Sequence, residues 1–269
     1  MEEFLHIAMK VLNSNKKKER YGNCMRYEEF TIEGRNAVLE AFRSGKTIDK
    51  LFVLDGCHDG PVNTITREAR KCDTIINYVS KERLDAMSKT GKHQGVMAYA
   101  AAYTYAEVSD ILDAAREKNE PPFIFILDGI EDPHNLGAII RTANLAGAHG
   151  VIIPKRHAVG LTATVARTSA GALNYTPVAK VTNISATIEE LKKEGLWFVC
   201  ADMGGETMYN LDLKGPIGLV IGNEGDGVSR LVKEKCDFIA SIPMKGDIDS
   251  LNASVAAGVL AYEIVRQRG

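Results

Sequence analysis

The chain has 269 residues, of which 45% are hydrophobic and 25% are charged. This balance is ordinary for a globular protein and excludes a chain that is disordered over most of its length. The formal net charge of −2 excludes a strongly basic protein, so any binding of nucleic acid must depend on local clusters of Lys and Arg. A chain of this length predicts two domains.

Membrane and metal-binding classes find no support in the sequence. No apolar run approaches the roughly 18 to 20 residues that a membrane-spanning helix requires, and the N-terminus lacks the apolar core of a secretory signal. We therefore expect a cytoplasmic protein without a membrane partner. The five cysteines are odd in number and scattered, with no C-x-x-C pair, which argues against a disulfide framework and against a zinc site.

Residues 1–24 differ from the rest of the chain and carry a basic run at residues 15–20. Such a terminus predicts a flexible, solvated extension. A basic arm that touches phosphate is the alternative. Patterned sequence begins at Met25, which could also be an alternative start.

Residues 25–103 predict a small α/β domain of ordinary size. Apolar residues recur at helical spacing over 34–45, 61–72 and 81–90, and short apolar runs over 51–54, 75–79 and 95–103 predict strands. Residues 104–119 predict an amphipathic helix, which Pro121 and Pro122 stop. We assign residues 104–122 to a linker helix.

Residues 123–269 predict a second, larger α/β domain. The predicted strands cover 123–127, 151–154, 197–201, 217–221 and 238–242, and the predicted helices cover 136–146, 162–172, 186–194, 229–235 and 252–267. Apolar strands that alternate with helices indicate a parallel sheet covered on both faces. Ligands bind such sheets at the carboxyl ends of the strands.

A first polar loop follows the strand at 123–127 and leads into a helix that carries Arg141. Asn135 stands at a plausible N-cap of that helix, where its side chain would accept a backbone N–H. Six residues separate Asn135 from Arg141, so the two side chains need not share a face. Taken alone, these residue types, which are common at helix starts, favour the plain structural interpretation: Asn135 only caps the helix and Arg141 is solvated.

A second loop, residues 222–229, follows the strand at 217–221 and contains three glycines in six residues. Glycines let the backbone approach a ligand closely or adopt positive φ. The loop matches neither the dinucleotide fingerprint nor the Walker A motif, and no acidic ribose anchor follows about 20 residues later. This speaks against a nicotinamide oxidoreductase, while a plain strand-to-helix turn stays open.

A third loop, residues 243–252, follows the strand at 238–242. Ser250 or Asn252 can cap the helix after it, whose residues 253–265 are apolar on nearly every face apart from Glu263. Such a helix should be largely buried, in the core, at a subunit interface, or both.

The three loops, in this order, resemble the three signature motifs of the SpoU (TrmH) family of RNA 2′-O-methyltransferases. The matching segments are 135–143, 222–228 and 242–244 continuing to 250–256. Residues 28–103 also resemble the small substrate-binding domain of the family.

The resemblance implies an α/β fold with a small α/β substrate-binding domain first in the chain. The parallel-sheet methyltransferase domain (123–269) follows it and contains a trefoil knot. The resemblance also implies S-adenosylmethionine as cofactor and a homodimer in which residues near the first motif reach the partner's cofactor site. The cofactor-binding residues it implies are Gly222, Asn223, Glu224, Gly225, Ile242, Pro243, Met244, Leu251 and Asn252.

The catalytic residues that the resemblance implies are Asn135, Arg141, Glu224, Ser250 and Asn252. A guanidinium group is a poor proton acceptor, so we expect Arg141 to clamp an RNA phosphate and orient the ribose. A compact N-domain resembles the members that modify a guanosine of 23S ribosomal RNA, and the alternatives are tRNA or a catalytically silent RNA-binding module. Arg35, Arg43, Lys46 and Lys92 are candidate RNA-binding residues of the small domain.

Overall fold

Two β-sheets organise the chain, which the computed structural model describes over residues 31–247 and 250–269. Within those residues a four-stranded sheet lies in the N-terminal part and a six-stranded sheet in the C-terminal part. The extension predicted for residues 1–24 lies outside the described residues. A single helix, α4 (Val108–Lys118), separates the two sheets along the chain.

The first sheet has the strand order β1-β4-β2-β3, in which β4 is antiparallel to its two neighbours and β3 is parallel to β2. Helices α1 and α2 pack against it over a core that includes Val38, Leu51 and Ile65. Strand β3 is an edge strand. The elements are β1 (Thr31–Glu33), α1 (Arg35–Arg43), β2 (Ile48–Leu54), α2 (Gly60–Lys71), β3 (Ile75–Val79), α3 (Lys81–Met87) and β4 (Val96–Ala100).

The second sheet is entirely parallel, with the strand order β10-β8-β9-β5-β6-β7. Its central strands are fully buried, because helices cover both faces. The strands are β5 (Phe123–Asp128), β6 (Gly150–Pro154), β7 (Val178–Val181), β8 (Trp197–Thr207), β9 (Ile217–Gly222) and β10 (Phe238–Ser241). The helices are α5 (Pro133–Leu145), α6 (Ala163–Thr168), α7 (Ile184–Lys193), α8 (Arg230–Lys233) and α9 (Ala253–Arg268).

Helix α6 and strand β7 of the second domain differ from the sequence-based expectation. The helix predicted over 162–172 ends at Thr168, because Ala170 (φ 49°) and Gly171 (φ 89°) adopt left-handed conformations that a helix cannot contain. Strand β7 was not predicted. It has only four residues, lies at the sheet edge and carries Lys180, so it shows no apolar run.

Buried polar contacts connect the two sheets. Asp49 of β2 accepts hydrogen bonds from the Lys180 ammonium (2.5 Å) and from the Tyr105 hydroxyl (2.9 Å), and the Asp49 side chain is only 8% exposed. Burial, followed by the charge of Asp49, raises the pKa of Tyr105. The small domain is therefore fixed on the large one by a desolvated ion pair.

Among the residues that the structure describes, no helix is both long and apolar enough to cross a membrane.

Candidate active site

The three polar loops converge at one edge of the six-stranded sheet, because parallel strands place their carboxyl ends together. In the strand order β10-β8-β9-β5, the polar loops follow β5, β9 and β10, and β8 lies between β9 and β10. The end of β8, the loops after β9 and β10 and the start of the C-terminal helix line a cavity of about 340 Å³. Its lining residues are Ala201, Asp202, Met203, Ile221, Gly222, Asn223, Glu224, Gly225, Asp226, Gly227, Ala240, Ile242, Met244, Ser250, Leu251, Ala253 and Ala256.

The loop after β9 folds back on itself. Asn223 and Gly227 exchange two backbone hydrogen bonds of 3.2 Å, and the Asn223 carboxamide oxygen accepts the N–H groups of Gly225 (2.9 Å) and Asp226 (2.6 Å). A Cβ atom on Gly222 would lie 2.0 to 2.2 Å from backbone atoms of Gly227 and Val228. Glycine at position 222 is therefore required by the turn itself, before any ligand is considered.

The loops after β5 and β9 are tied to each other. The Asp128 carboxylate accepts the backbone N–H of Ser229 at 2.8 Å. Gly129 has a φ of 82°, and a Cβ atom there would lie 3.3 Å from the side-chain nitrogen Nδ2 of Asn223. The Asp128–Ser229 hydrogen bond holds the two loops together, and the absence of a side chain at Gly129 lets them approach closely.

A polar cluster joins all three loops. One carboxylate oxygen of Glu224 accepts the side-chain amides of Asn135 and Asn252, the latter at 2.5 Å. The Asn252 side-chain amide also donates to the side-chain oxygen Oδ1 of Asn135 at 3.0 Å. Asn135 is buried, whereas Glu224 and Asn252 are exposed, so the cluster forms a polar wall open to solvent.

Helix capping assigns Asn135 and Asn252 different local roles. Asn252 is the N-cap of α9, and its side-chain oxygen Oδ1 accepts the N–H groups of Ser254 (2.9 Å) and Val255 (3.4 Å). The expectation that Asn135 caps α5 is wrong. Asp132 is the N-cap and its carboxylate accepts the His134 N–H at 2.9 Å, because the helix begins at Pro133, three residues earlier than predicted. The Asn135 side chain is thereby free to bind Glu224.

Arg141 lies apart from this cluster, on an exposed face of α5. Among the described residues its guanidinium has no hydrogen-bond or ion-pair partner, and it does not line the cavity. Its neighbour Thr142 instead lies beside Gly258 of α9. An unpaired cation on an exposed face is available to an external ligand.

Most of the predicted cofactor residues line the cavity. Pro243 and Asn252 do not line it, although each adjoins a residue that does. Ser250, predicted as catalytic, lines it as well. The lining set is Gly222, Asn223, Glu224, Gly225, Ile242, Met244 and Leu251.

Sequence reasoning missed Asp202 and Met203, which line the cavity from β8, and Asp128, which ends β5. A hydrogen bond from Lys233 (2.7 Å) holds the pKa of the Asp202 carboxyl below its ordinary value. The signal was available, since Asp202 follows the buried strand residues 198–200. The strand predicted over 197–201 places Asp202 at its carboxyl end, and in the structure Asp202 lies within β8, which continues to Thr207.

The four candidate RNA-binding residues of the small domain fall into two groups. The Arg35 guanidinium donates to the Gln94 backbone carbonyl (3.0 Å) and pairs with Asp59 (2.6 Å), close to Lys92 in the loop before β4. Arg43 ends α1, about 12 Å from Arg35 at 1.5 Å per residue, and Lys46 follows three residues later.

No group of three or more His, Cys, Asp or Glu side chains that could hold a metal ion occurs within residues 31–247 and 250–269.

The chain matches two family descriptions. Residues 122–262 match the SpoU rRNA Methylase family, and residues 31–106 match the family described as RNA 2′-O ribose methyltransferase substrate binding. YacO of Bacillus subtilis strain 168, whose name assigns it provisionally to the TrmH family of tRNA/rRNA methyltransferases, is 52% identical over 88% of this chain and 95% of its own length.

Two solved structures show the same architecture. The SpoU methyltransferase AviRb from Streptomyces viridochromogenes, in complex with AdoMet, is 26% identical with a TM-score of 0.57, covering 89% of this chain and 90% of its own. The AdoMet-bound rRNA methyltransferase from Sinorhizobium meliloti is 25% identical with a TM-score of 0.55, covering 88% of this chain and 87% of its own.

Proposed function

Because the chain belongs to the SpoU rRNA Methylase family, we propose that it transfers a methyl group from S-adenosylmethionine to a ribose 2′-hydroxyl of structured RNA. The observation that carries the proposal is the cluster of Asn135, Glu224 and Asn252, which joins the segments that follow strands β5, β9 and β10. A catalytically silent module would have no need of this intact constellation.

S-adenosylmethionine is the cofactor of this family, and two structural neighbours contain it. The cavity fits it physically. Its volume falls within the range of about 300 to 1,000 Å³ that is usual for small-molecule sites. Backbone at Gly222, Gly225 and Gly227 is uncovered by side chains, so N–H and C=O groups can approach a ligand, while Ile242 and Leu251 supply apolar walls.

When bound, S-adenosylmethionine supplies an electrophilic methyl group on a sulfonium sulfur. The protein must then position the 2′-hydroxyl in line, and correct positioning alone can contribute about 7 to 11 kcal/mol. One oxygen of Glu224 is occupied by two amides, so the carboxylate is held rigidly and its second oxygen can accept a hydrogen bond from the substrate. Ser250 adds a hydroxyl to the same wall.

Arg141 positions the RNA in this proposal. A guanidinium stays protonated at physiological pH and binds phosphate in a bidentate manner. Arg141 is therefore a clamp on the substrate phosphate, and the 2′-hydroxyl proton leaves to that phosphate or to solvent. Its unpaired, exposed side chain supports this role.

A homodimer explains how Arg141 acts although it does not line the cavity of its own chain. Helices α5 and α9 run side by side, since Asn135 contacts Asn252 and Thr142 lies beside Gly258. One turn further, Leu145 (65% exposed) and Tyr262 (51% exposed) offer an apolar surface next to Arg141. A second copy seated there would receive Arg141 at its own cavity.

Mixing inactive variants tests this arrangement. Arg141→Ala and Glu224→Ala subunits, each inactive alone, should regain part of the activity when dissociated and mixed, because one mixed site then has an intact cavity and a partner arginine. If Arg141 acts within its own chain, the mixture stays inactive.

Among substrates, a guanosine of 23S ribosomal RNA is favoured and tRNA is the alternative. The support is that the rRNA methyltransferase of Sinorhizobium meliloti aligns with 88% of this chain, which spans both domains. The small domain would hold the RNA by shape and backbone, with Arg35 and Lys92 at one end of α1 and Arg43 and Lys46 at the other. With either RNA as substrate, we expect the protein to act in the cytoplasm.

The decisive experiment incubates the protein with labelled S-adenosylmethionine and either 23S rRNA or tRNA, followed by mapping of the methylated nucleotide. We expect label on a ribose of one RNA. Label found only on bases or protein would refute the ribose assignment. Arg141→Ala should nearly abolish transfer and leave cofactor affinity, measured by calorimetry, within a few-fold; equal loss of both would refute its assigned role.

A further inference from the structure

A large polar cleft separates the two domains on the side of strand β3. Its volume is about 1150 Å³, and nine of its thirteen lining residues are polar or charged. Small-molecule sites rarely exceed about 1,000 Å³ and are mostly apolar. The cleft therefore suits an elongated polar ligand better than a compact metabolite.

The charges of the cleft favour an anion. Lys50 of β2 and Lys155 and Arg156 of the loop after β6 line it, together with the carboxylates of Asp73 and Glu131. Lys155 and Asp73 pair with each other. Among the described residues the side chains of Lys50 and Arg156 have no ion-pair partner, so two uncommitted cations face one carboxylate.

The walls of the cleft are held rigidly. Asp49, the neighbour of Lys50, is fixed by Lys180 and Tyr105, and the Tyr105 hydroxyl accepts the N–H of Leu161 at 2.9 Å. The Tyr105 hydroxyl therefore connects β2 to the segment between β6 and α6. A preorganised site loses less conformational entropy when its ligand binds.

The cleft also leads to the active site. Strand β6 is parallel to β5, which neighbours β9, so residues 155–157 leave the same sheet edge as Gly222. Two interstrand spacings separate them, about 10 Å. The Val159 N–H donates to the Ile130 carbonyl (3.0 Å), which joins this segment to the loop that carries Asn135.

We propose that this cleft binds the sugar–phosphate backbone of the RNA on one side of the methylated nucleotide, with Lys50 and Arg156 contacting phosphates. The ligand class rests on the proposed function, since RNA is taken as the substrate. Backbone contacts of this kind fix the register of a nucleic acid without reading its sequence.

The test compares Lys50→Gln/Arg156→Gln with a matched control, Lys193→Gln/Lys214→Gln. The control removes the same charge from exposed lysines at the amino edge of the same sheet. Binding of protein-free 23S rRNA and of bulk tRNA is measured without cofactor between 50 and 200 mM salt. Loss of two phosphate contacts should lower the slope of log K against log salt by about 1.4 to 1.8 and weaken binding roughly ten-fold at 150 mM.

The control should keep the wild-type slope, and both double variants should keep the wild-type melting temperature and cofactor affinity. Glu131→Gln should act in the opposite direction and tighten RNA binding a few-fold, because it removes the opposing carboxylate. Equal slopes for the cleft and control variants overturn the inference, as does a wild-type protein that binds neither RNA.

Binding and methyl transfer are measured separately, so the two proposals can fail separately. A wild-type protein that binds RNA through the cleft but labels no ribose refutes the proposed function alone. Ribose methylation by a wild-type protein whose cleft variant binds RNA like the control refutes the cleft alone.

Discussion

Replacing Gly222 with alanine should displace the loop that follows β9, even before a cofactor binds. The added Cβ would lie 2.0 Å from the Gly227 carbonyl carbon and 2.2 Å from the Val228 nitrogen. Ordinary contacts of this kind are about 3.5 Å or longer. The loop must therefore move by more than an ångström, and both backbone hydrogen bonds between Asn223 and Gly227 are lost with that movement.

The cost can be worked from these contacts. Two neutral hydrogen bonds contribute about 1 to 3 kcal/mol together, and forcing an atom into a packed site costs about 1 to 3 kcal/mol. The two effects overlap, so we expect a loss of about 2 to 4 kcal/mol. For a domain of this size that corresponds to a fall of roughly 5 to 15 °C in Tm.

Thermal unfolding without cofactor is the assay, and Gly225→Ala is the matched control. A Cβ atom on Gly225 would meet only the Asn223 side-chain oxygen, at 3.7 Å, so its Tm should change little. Calorimetry should then show weaker binding of S-adenosylmethionine by Gly222→Ala. Equal Tm values for the two variants, or unchanged cofactor affinity of Gly222→Ala, would contradict the reasoning.

Further predictions concern stability. Asp49→Asn should lower the free energy of unfolding, measured with denaturant, by about 3 to 5 kcal/mol, because it leaves the Lys180 charge buried without its partner. Asp73→Asn removes a carboxylate from the exposed ion pair between the domains and should lower it by at most about 1 kcal/mol. Similar losses for the two variants would refute the distinction. Burial raises the pKa of Glu33, but hydrogen bonds from Ser88, Thr90 and backbone N–H groups outweigh it and lower the pKa from 4.5 to about 2. Glu33→Gln should therefore cost about 1 to 3 kcal/mol above pH 4.5, and this difference from the wild type should fade as the pH falls towards 2; a gap independent of pH would exclude the carboxylate as its source.

The sequence predicted the order of most elements because their signals are local. Strand β3 lies where the apolar run placed it, and strands β5, β6, β9 and β10 begin or end within one residue of expectation. The SpoU resemblance, carried by short motifs, is confirmed by the family match over residues 122–262. The trefoil knot stays a prediction of that resemblance.

The sequence-based predictions were wrong for the N-cap of α5 and did not include strand β7. Asp132 and Asn135 are both good N-cap residues, and only the helix start at Pro133 decides between them. The four residues of β7 form a strand because they pair with the edge of β6. Their own sequence does not indicate this pairing.

The sequence by itself determined which polar residues stand at strand ends, because strand and loop propensities depend on neighbours along the chain. Only the tertiary structure decided which of them meet. Glu224 reaches residues 89 positions before it and 28 after it, and Asp49 pairs with a lysine 131 positions away. Such contacts follow from the strand order of the sheet and the docking of two domains. These are set by burial of the whole core, so local pattern cannot contain them.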